Sequence, residues 1–146
     1  MLKINILIFA TMIIIGCKYD DKYTNDPIPK ISNISTNQLE YTQFTDTVVI
    51  GLDYQDGDGD LGFESADSLS VEVKDIRFAK ADYYHLKPLS PVGNRIAISG
   101  KIKISLKNIF LIGGGNLEST KFQIRIKDRS QNWSNVLLTK SINIKK

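Results

Sequence analysis

The stretch that decides the fold is Val48-Val49-Ile50-Gly51-Leu52-Asp53-Tyr54, in which apolar side chains occupy every second position. Successive side chains of a β-strand point to opposite faces of a sheet, so this alternation predicts a strand with one buried face. The same period of two recurs in other segments from residue 30 onward. The apolar residues of those segments are Val71 and Val73; Ile76 and Phe78; Ile96 and Ile98; Ile102, Ile104 and Leu106; Phe122, Ile124 and Ile126; and Ile142 and Ile144.

Gly, Asn and Asp clusters separate these segments, and no window carries the apolar stripe of a capped helix. A series of about seven short alternating strands is typical of an all-β, antiparallel two-sheet sandwich of the immunoglobulin or fibronectin type III kind. The single cysteine excludes the inter-sheet disulfide of antibody domains, which favours the fibronectin-like variant. We therefore predict one β-sandwich domain over residues 30–146.

The segment that follows this strand is Asp56-Gly57-Asp58-Gly59-Asp60-Leu61-Gly62, which places three carboxylates at alternate positions. They can converge only if the backbone curls, and the intervening glycines permit that curl. Carboxylates held about 6 Å apart repel by roughly 0.7–3 kcal/mol per pair, a penalty that a divalent cation removes. Ca²⁺ accepts irregular oxygen sites more readily than Mg²⁺. We predict a calcium site at Asp56, Asp58 and Asp60; a simple Asp-Gly turn between two strands is the alternative.

A second polar loop, residues 127–132, follows the alternating strand that ends at Ile126. If the strands before the two loops occupy the second and sixth positions of a sandwich, both loops lie at the same end of the domain. Asp128 is then a fourth predicted metal ligand, with Asp53 or Glu64 as further candidates. Ordinary loop polarity explains Asp128 equally well.

The N-terminal residues 1–16 read as an export signal. Lys3 precedes an apolar run over residues 4–15 that is shorter than the roughly 20 residues a membrane-spanning helix needs. Ile14-Ile15-Gly16-Cys17 resembles the lipobox of bacterial lipoproteins. The resemblance implies that residues 1–16 are removed and that Cys17 carries fatty acyl chains such as palmitate, which together would anchor the protein firmly.

Residues 17–29 contain Pro27, Pro29 and no apolar period, which predicts a flexible tether between the acylated cysteine and the domain. Within it, Lys18-Tyr19-Asp20-Asp21 resembles the short acidic signal that directs lipoproteins of Bacteroidetes to the outer face of the outer membrane. The expected location is therefore the cell envelope, at the cell surface or otherwise facing the periplasm.

The body of the chain resembles a class of small Bacteroidetes lipoproteins whose immunoglobulin-like domain carries an Asp-Gly-Asp-Gly-Asp-Leu-Gly loop. Residues 127–135 are similar to the closing segment of many bacterial immunoglobulin-like domains, with Gln131 where glycine is usual. The resemblance implies the fold, the envelope location and calcium; the class has no established activity to transfer.

The charge balance limits the classes of partner that the protein is expected to bind. The chain has 19 Lys+Arg and 16 Asp+Glu, but residues 20–82 carry a net charge of −9 and residues 83–146 a net charge of +10. A net charge of +3 does not indicate nucleic-acid binding. We expect a non-enzymatic module that binds a protein or glycan partner and is held to the membrane by its lipid. The alternatives are a small metal-dependent hydrolase that uses the Asp-rich loop and a purely structural envelope protein.

Overall fold

The computed structural model describes residues 26–93 and 95–146, so the predicted signal (1–16), the predicted acylation site Cys17 and the tether up to residue 25 lie outside the described residues. The described part is all-β, as the alternating pattern predicts, and every strand pairing except one is antiparallel. The strands are β1 (Lys30–Thr36), β2 (Glu40–Thr42), β3 (Val48–Asp56), β4 (Leu69–Asp75), β5 (Asp82–His85), β6 (Ile98–Leu106), β7 (Leu117–Thr120), β8 (Phe122–Ile126), β9 (Leu137–Leu138) and β10 (Ile142–Lys145).

One layer of the domain is the sheet β1-β3-β6, with β3 in the middle. Val48, Ile50, Leu52 and Tyr54 of β3 are buried, and the residues between them are more exposed. β6 pairs with β3 along its whole length, from Ile98 opposite Asp56 to Leu106 opposite Val48. The alternation that predicts β3 therefore defines the inner face of this layer.

The other layer consists of two sheets that continue each other, β5-β4-β8-β9 and β2-β10-β7. Only Lys121 separates β7 from β8, and residues 139–141 separate β9 from β10. At this break the Phe122 amide donates to the Thr139 side-chain hydroxyl (3.0 Å) and the Thr139 amide to the Phe122 carbonyl (2.9 Å). Such breaks divide continuous stretches of chain, which explains why there are ten strands where the pattern predicts about seven.

The core between the layers is formed by the alternating apolar residues. Ile50, Ile124, Ile126 and Ile144 are among its fully buried members. The prediction is wrong for Ile96, which precedes β6 and is 51% exposed. It is also wrong for Ile76 and Phe78, which lie in the turn after β4 and are 51% and 38% exposed. There the chain turns away from the sheet beside Asp75, whose carboxylate accepts hydrogen bonds from the Arg77 side chain and backbone.

The two ends of the sandwich differ in chemistry. Asp56 ends β3 at one end, where residue Asp26 also leads the chain into the domain. At the other end Phe110 stacks on Phe44, with ring centroids 6.1 Å apart, and lies 6.0 Å from Phe78. Over the described ranges, no helix has the length and apolar character needed to cross a membrane.

Candidate metal centre

Asp56, Asp58 and Asp60 are brought together at the end of β3. One carboxylate oxygen from each lies within 4.8 Å of the others. Asp56 is the last residue of the strand and is 2% exposed, whereas Asp58 and Asp60 are half-buried in the loop that follows. The strand therefore fixes the first carboxylate, and the curl of the loop carries the other two back towards it.

The hydrogen-bonding state of the three carboxylates suits a cation. The Oδ1 atoms of Asp56, Asp58 and Asp60 are all buried and all without a hydrogen-bond partner among the described residues. A buried anionic oxygen without a partner is expensive, and three of them facing one another add mutual repulsion. A positive ion bound by these atoms would remove both costs, so this donor set fits a hard metal ion.

The loop backbone is held in the required curl by a glycine and its neighbours. Gly59 has a φ of +71°, and a side-chain Cβ at this position would lie 2.2 Å from the carbonyl oxygen of Ile96. The Gly59 carbonyl in turn accepts hydrogen bonds from the Ser90 hydroxyl and from Arg129 Nη2 (3.3 Å). Only glycine combines this conformation with so close an approach of the neighbouring backbone.

The loop after β8 (residues 127–132) packs against the acidic loop (residues 56–62). Leu61 forms an isolated antiparallel bridge with Asp128, and the Arg129 amide donates to the Asp60 carbonyl at 3.1 Å. Asp60 Oδ2 accepts hydrogen bonds from the Ser130 amide (3.1 Å) and hydroxyl (2.8 Å). The two loops therefore meet at one end of the sandwich, and Asp60 keeps its Oδ1 free of these bonds.

Asp128 is fully buried beside the acidic loop but is not one of the three grouped carboxylates. Its Oδ1 accepts from the Asn132 amide (2.7 Å) and its Oδ2 from the Asn132 side chain (2.9 Å). Burial raises the pKa of Asp128, the bonds from Asn132 oppose that effect, and the charges of Asp60 and Asp58 add to it. The charges of the acidic loop therefore affect the protonation of Asp128, while its hydrogen bonds with Asn132 stabilise the loop after β8.

The two further candidates lie outside the cluster. Asp53 is on β3, where it accepts hydrogen bonds from Asn33 Nδ2 and from Lys101 Nζ, both at 2.8 Å. Glu64 is exposed in the segment that follows the acidic loop. Neither belongs to the group whose oxygens converge.

Electrostatics in the cluster favour a proton when no cation is bound. Burial, followed by the charges of Asp58 and Asp60, raises the pKa of Asp56 from 3.8 to about 6. The hydrogen bond that Asp56 Oδ2 accepts from the Leu61 amide (3.1 Å) opposes the rise and does not cancel it. A cation and a proton would therefore compete for the same carboxylate.

Arg129 and Ser90 support the site, and sequence reasoning missed both. Arg129 Nη1 donates to the Gly62 carbonyl at 2.9 Å, in addition to its bond to Gly59. Arg129 carries no oxygen donor, and Ser90 is 31 residues from Gly59 in the sequence, so a search for neighbouring carboxylates passes over both. The available signal was the position of Arg129 directly after Asp128, at the end where the two loops were expected to meet.

No family model, no curated protein and no solved structure matches this chain. What the described residues establish is an antiparallel β-sandwich with an Asp56–Asp58–Asp60 cluster that could hold a metal ion.

Proposed function

We propose that the protein is a lipid-anchored, non-enzymatic binding module of the cell envelope whose β-sandwich is ordered by Ca²⁺ at the acidic loop. The observation that supports the ion is the set of three buried, unpartnered Oδ1 atoms of Asp56, Asp58 and Asp60. The kinship with immunoglobulin-like or fibronectin-like domains belongs to the same proposal.

Calcium suits this loop better than other common ions. The donors are carboxylate oxygens, whereas several transition metals favour nitrogen and sulfur ligands. They come from an irregular curled loop, and Ca²⁺ accepts six to eight oxygens in flexible geometry, whereas Mg²⁺ demands a near-ideal octahedron. Asp56, Asp58 and Asp60 would hold the ion, with Asp128 as the fourth carboxylate nearby.

We propose that the ion stabilises the domain and does not act as the catalytic metal of a hydrolase. The loop is bonded closely to its surroundings: Asp60 to Ser130, Asp56 to the Leu61 amide, and Arg129 to two loop carbonyls. A catalytic metal needs an open position and a nearby base. An ion that neutralises the acidic loop would instead fix two neighbouring loops at one end of the sandwich.

Isothermal titration of Ca²⁺ into the full chain, purified in a nonionic detergent, tests the ion. We expect one calcium per chain, and we expect Asp58→Asn to weaken binding by about tenfold or more because it removes one charged ligand. Asp67→Asn is the matched control, since Asp67 is exposed and outside the cluster. Binding that is absent, or unchanged in Asp58→Asn, would contradict the calcium site.

The envelope location rests on the sequence of residues 1–21, and it is tested independently of calcium. We expect the wild-type chain to fractionate with membranes and to incorporate labelled palmitate, and Cys17→Ser to lose the label. Labelling of intact cells with a membrane-impermeant reagent reports the leaflet. A protein that is labelled only after lysis would face the periplasm, and one that reaches the soluble fraction with Cys17 intact would contradict the anchor.

A further inference from the structure

Strand β6 lies at the edge of its sheet, with β3 on one side. It is nine residues long and pairs with β3 without a register shift. On an edge strand the backbone groups of alternate residues point away from the sheet. β6 therefore presents a long, regular row of backbone donors and acceptors.

The opposite edge of the same sheet is protected in a way that β6 is not. β1 has a register shift between Ser32 and Ser35, and Asn33 within it has a φ of +51°. The Asn135 side chain bonds both the amide (2.9 Å) and the carbonyl (3.0 Å) of Ile31. An irregular, covered edge resists the addition of another strand, whereas β6 keeps the geometry that strand addition requires.

The outer face of β6 is basic. Lys101 and Lys103 of β6, and Lys107 directly after its end, are exposed and alternate with inward-facing apolar residues. Lys101 pairs with Asp53 at 2.8 Å, but Lys103 lies opposite Gly51 in the ladder. Among the described residues, Lys103 and Lys107 form no ion pair. Two lysine charges along the edge are therefore available to a partner.

A groove beside this edge separates the two layers. Its volume is about 190 Å³, and its walls come from β6 on one side and from β4, β5 and the residue after β5 on the other. Ile102 and Ile104 face Val71, Tyr84 and Leu86 across it. The groove is also lined by the polar residues His85, Lys103 and Ser105. An added strand would direct every second side chain towards the apolar residues of this groove and the others towards the lysines.

We propose that β6 binds an extended segment of a partner protein in which acidic and apolar residues alternate. The partner would extend the sheet through main-chain hydrogen bonds, as in other cases of strand addition. A second copy of β6 fits poorly, because antiparallel pairing would set one lysine row against another. The inference rests on the binding role proposed above and is independent of the calcium site.

Hydrogen–deuterium exchange of the full chain in nonionic detergent, with saturating Ca²⁺, tests the proposal. The probe is a capped peptide of nine residues that alternates Glu and Val, which matches the nine residues of β6. We expect the peptide to slow amide exchange several-fold in residues 98–106 and to leave residues 30–36 unchanged. A peptide with Lys in place of Glu and one with N-methylated alternate amides should both fail to bind.

Charge reversal on the protein supplies the matched variants. We expect the double variant Lys103→Glu/Lys107→Glu to weaken binding of the peptide by about tenfold or more, and Lys121→Glu, also an exposed lysine, to change it by less than about twofold. Calcium titration should be the same in all of them. Equal binding of the charge-reversed peptide, or dimerisation through β6 without peptide, would overturn the proposal and leave the calcium site standing.

Discussion

The titration of Asp56, a buried carboxylate, makes the stability of the fold depend on pH. Its pKa is raised from 3.8 to about 6, mainly by burial and then by the charges of Asp58 and Asp60. Between these two values the unfolded chain has released the proton while the folded protein still holds it. The contribution of Asp56 to stability is therefore lost as the pH rises through this window, when no cation is bound.

We expect the titration of Asp56 to cost the metal-free protein about 2 kcal/mol of unfolding free energy between pH 4 and pH 7, because each pKa unit corresponds to about 1.4 kcal/mol and the unfolded Asp56 is already largely ionised at pH 4. Urea unfolding in the presence of a chelator measures this change. Saturating Ca²⁺ should abolish the loss, since the ion replaces the proton. Asp56→Asn removes this titrating group and should lose about 2 kcal/mol less than the wild type over the same window. The raised pKa of Asp128 leaves a residual slope in the variant; a slope equal to that of the wild type would place the titration elsewhere.

Gly59 is the second residue on which the site depends. Alanine there would combine a φ of +71° with a Cβ 2.2 Å from the Ile96 carbonyl oxygen. We expect Gly59→Ala to lower the unfolding free energy by roughly 1–3 kcal/mol and to weaken calcium binding, because the loop must shift. Gly114→Ala is the control, since a Cβ at Gly114 meets nothing within 4 Å. Chemical denaturation should separate the two variants, and equal stabilities would contradict the strained loop.

The acidic loop and the loop after β8 are held together by hydrogen bonds. Arg129 joins them through its bonds to the Gly59 and Gly62 carbonyls. We expect Arg129→Met to reduce stability by about 1–2 kcal/mol, the cost of leaving the buried Gly62 carbonyl without its donor, and to weaken calcium binding several-fold. The Gly59 carbonyl keeps its hydrogen bond from Ser90.

Thermal unfolding and calorimetric titration of Arg129→Met measure the two effects together. Lys140→Met is a suitable control because it removes an exposed cation elsewhere on the surface. If both variants bind calcium like the wild type, the second loop has no part in the site.

The elements also show what the sequence could and could not predict. β3, β6 and β8 were predictable from their sequences, because a half-buried strand has an apolar residue at every second position. The same period misassigned Ile76 and Phe78, since two exposed apolar residues in a turn have the same spacing. Asp56, Asp58 and Asp60 were predictable from local spacing, whereas Ser90 contacts the loop from 31 residues away, and only the tertiary fold brings it there.

We expect the core of the domain to form without the ion. Among the residues that the structure describes, eighteen apolar side chains are buried, including Ile31, Val73 and Ile142, which lie on strands rather than in the acidic loop. A domain of this size buries roughly two-thirds of the surface of its unfolded chain. Calcium should therefore order one end of the sandwich and leave the rest unchanged.

We expect removal of calcium by a chelator to leave the far-ultraviolet circular dichroism at 25 °C essentially unchanged, while it lowers the melting temperature and increases proteolysis near residues 57–62. The temperature shift should depend on calcium concentration, at about 2.7 kcal/mol of stabilisation for calcium 100-fold above its dissociation constant. Asp58→Asn should show little shift. Complete unfolding on chelation would mean that the ion organises the core itself.

The position of β10 has a consequence for the order in which the molecule can assemble. β10 lies between β2 and β7 and pairs with β2 in parallel, so Glu40–Thr42 receives its neighbour from residues about 100 positions later in the chain. Sheet contacts of such long sequence separation form slowly. If the chain crosses a membrane from its N-terminus, as the proposed location requires, β2 and β7 remain without their partner β10 until the last residues have emerged.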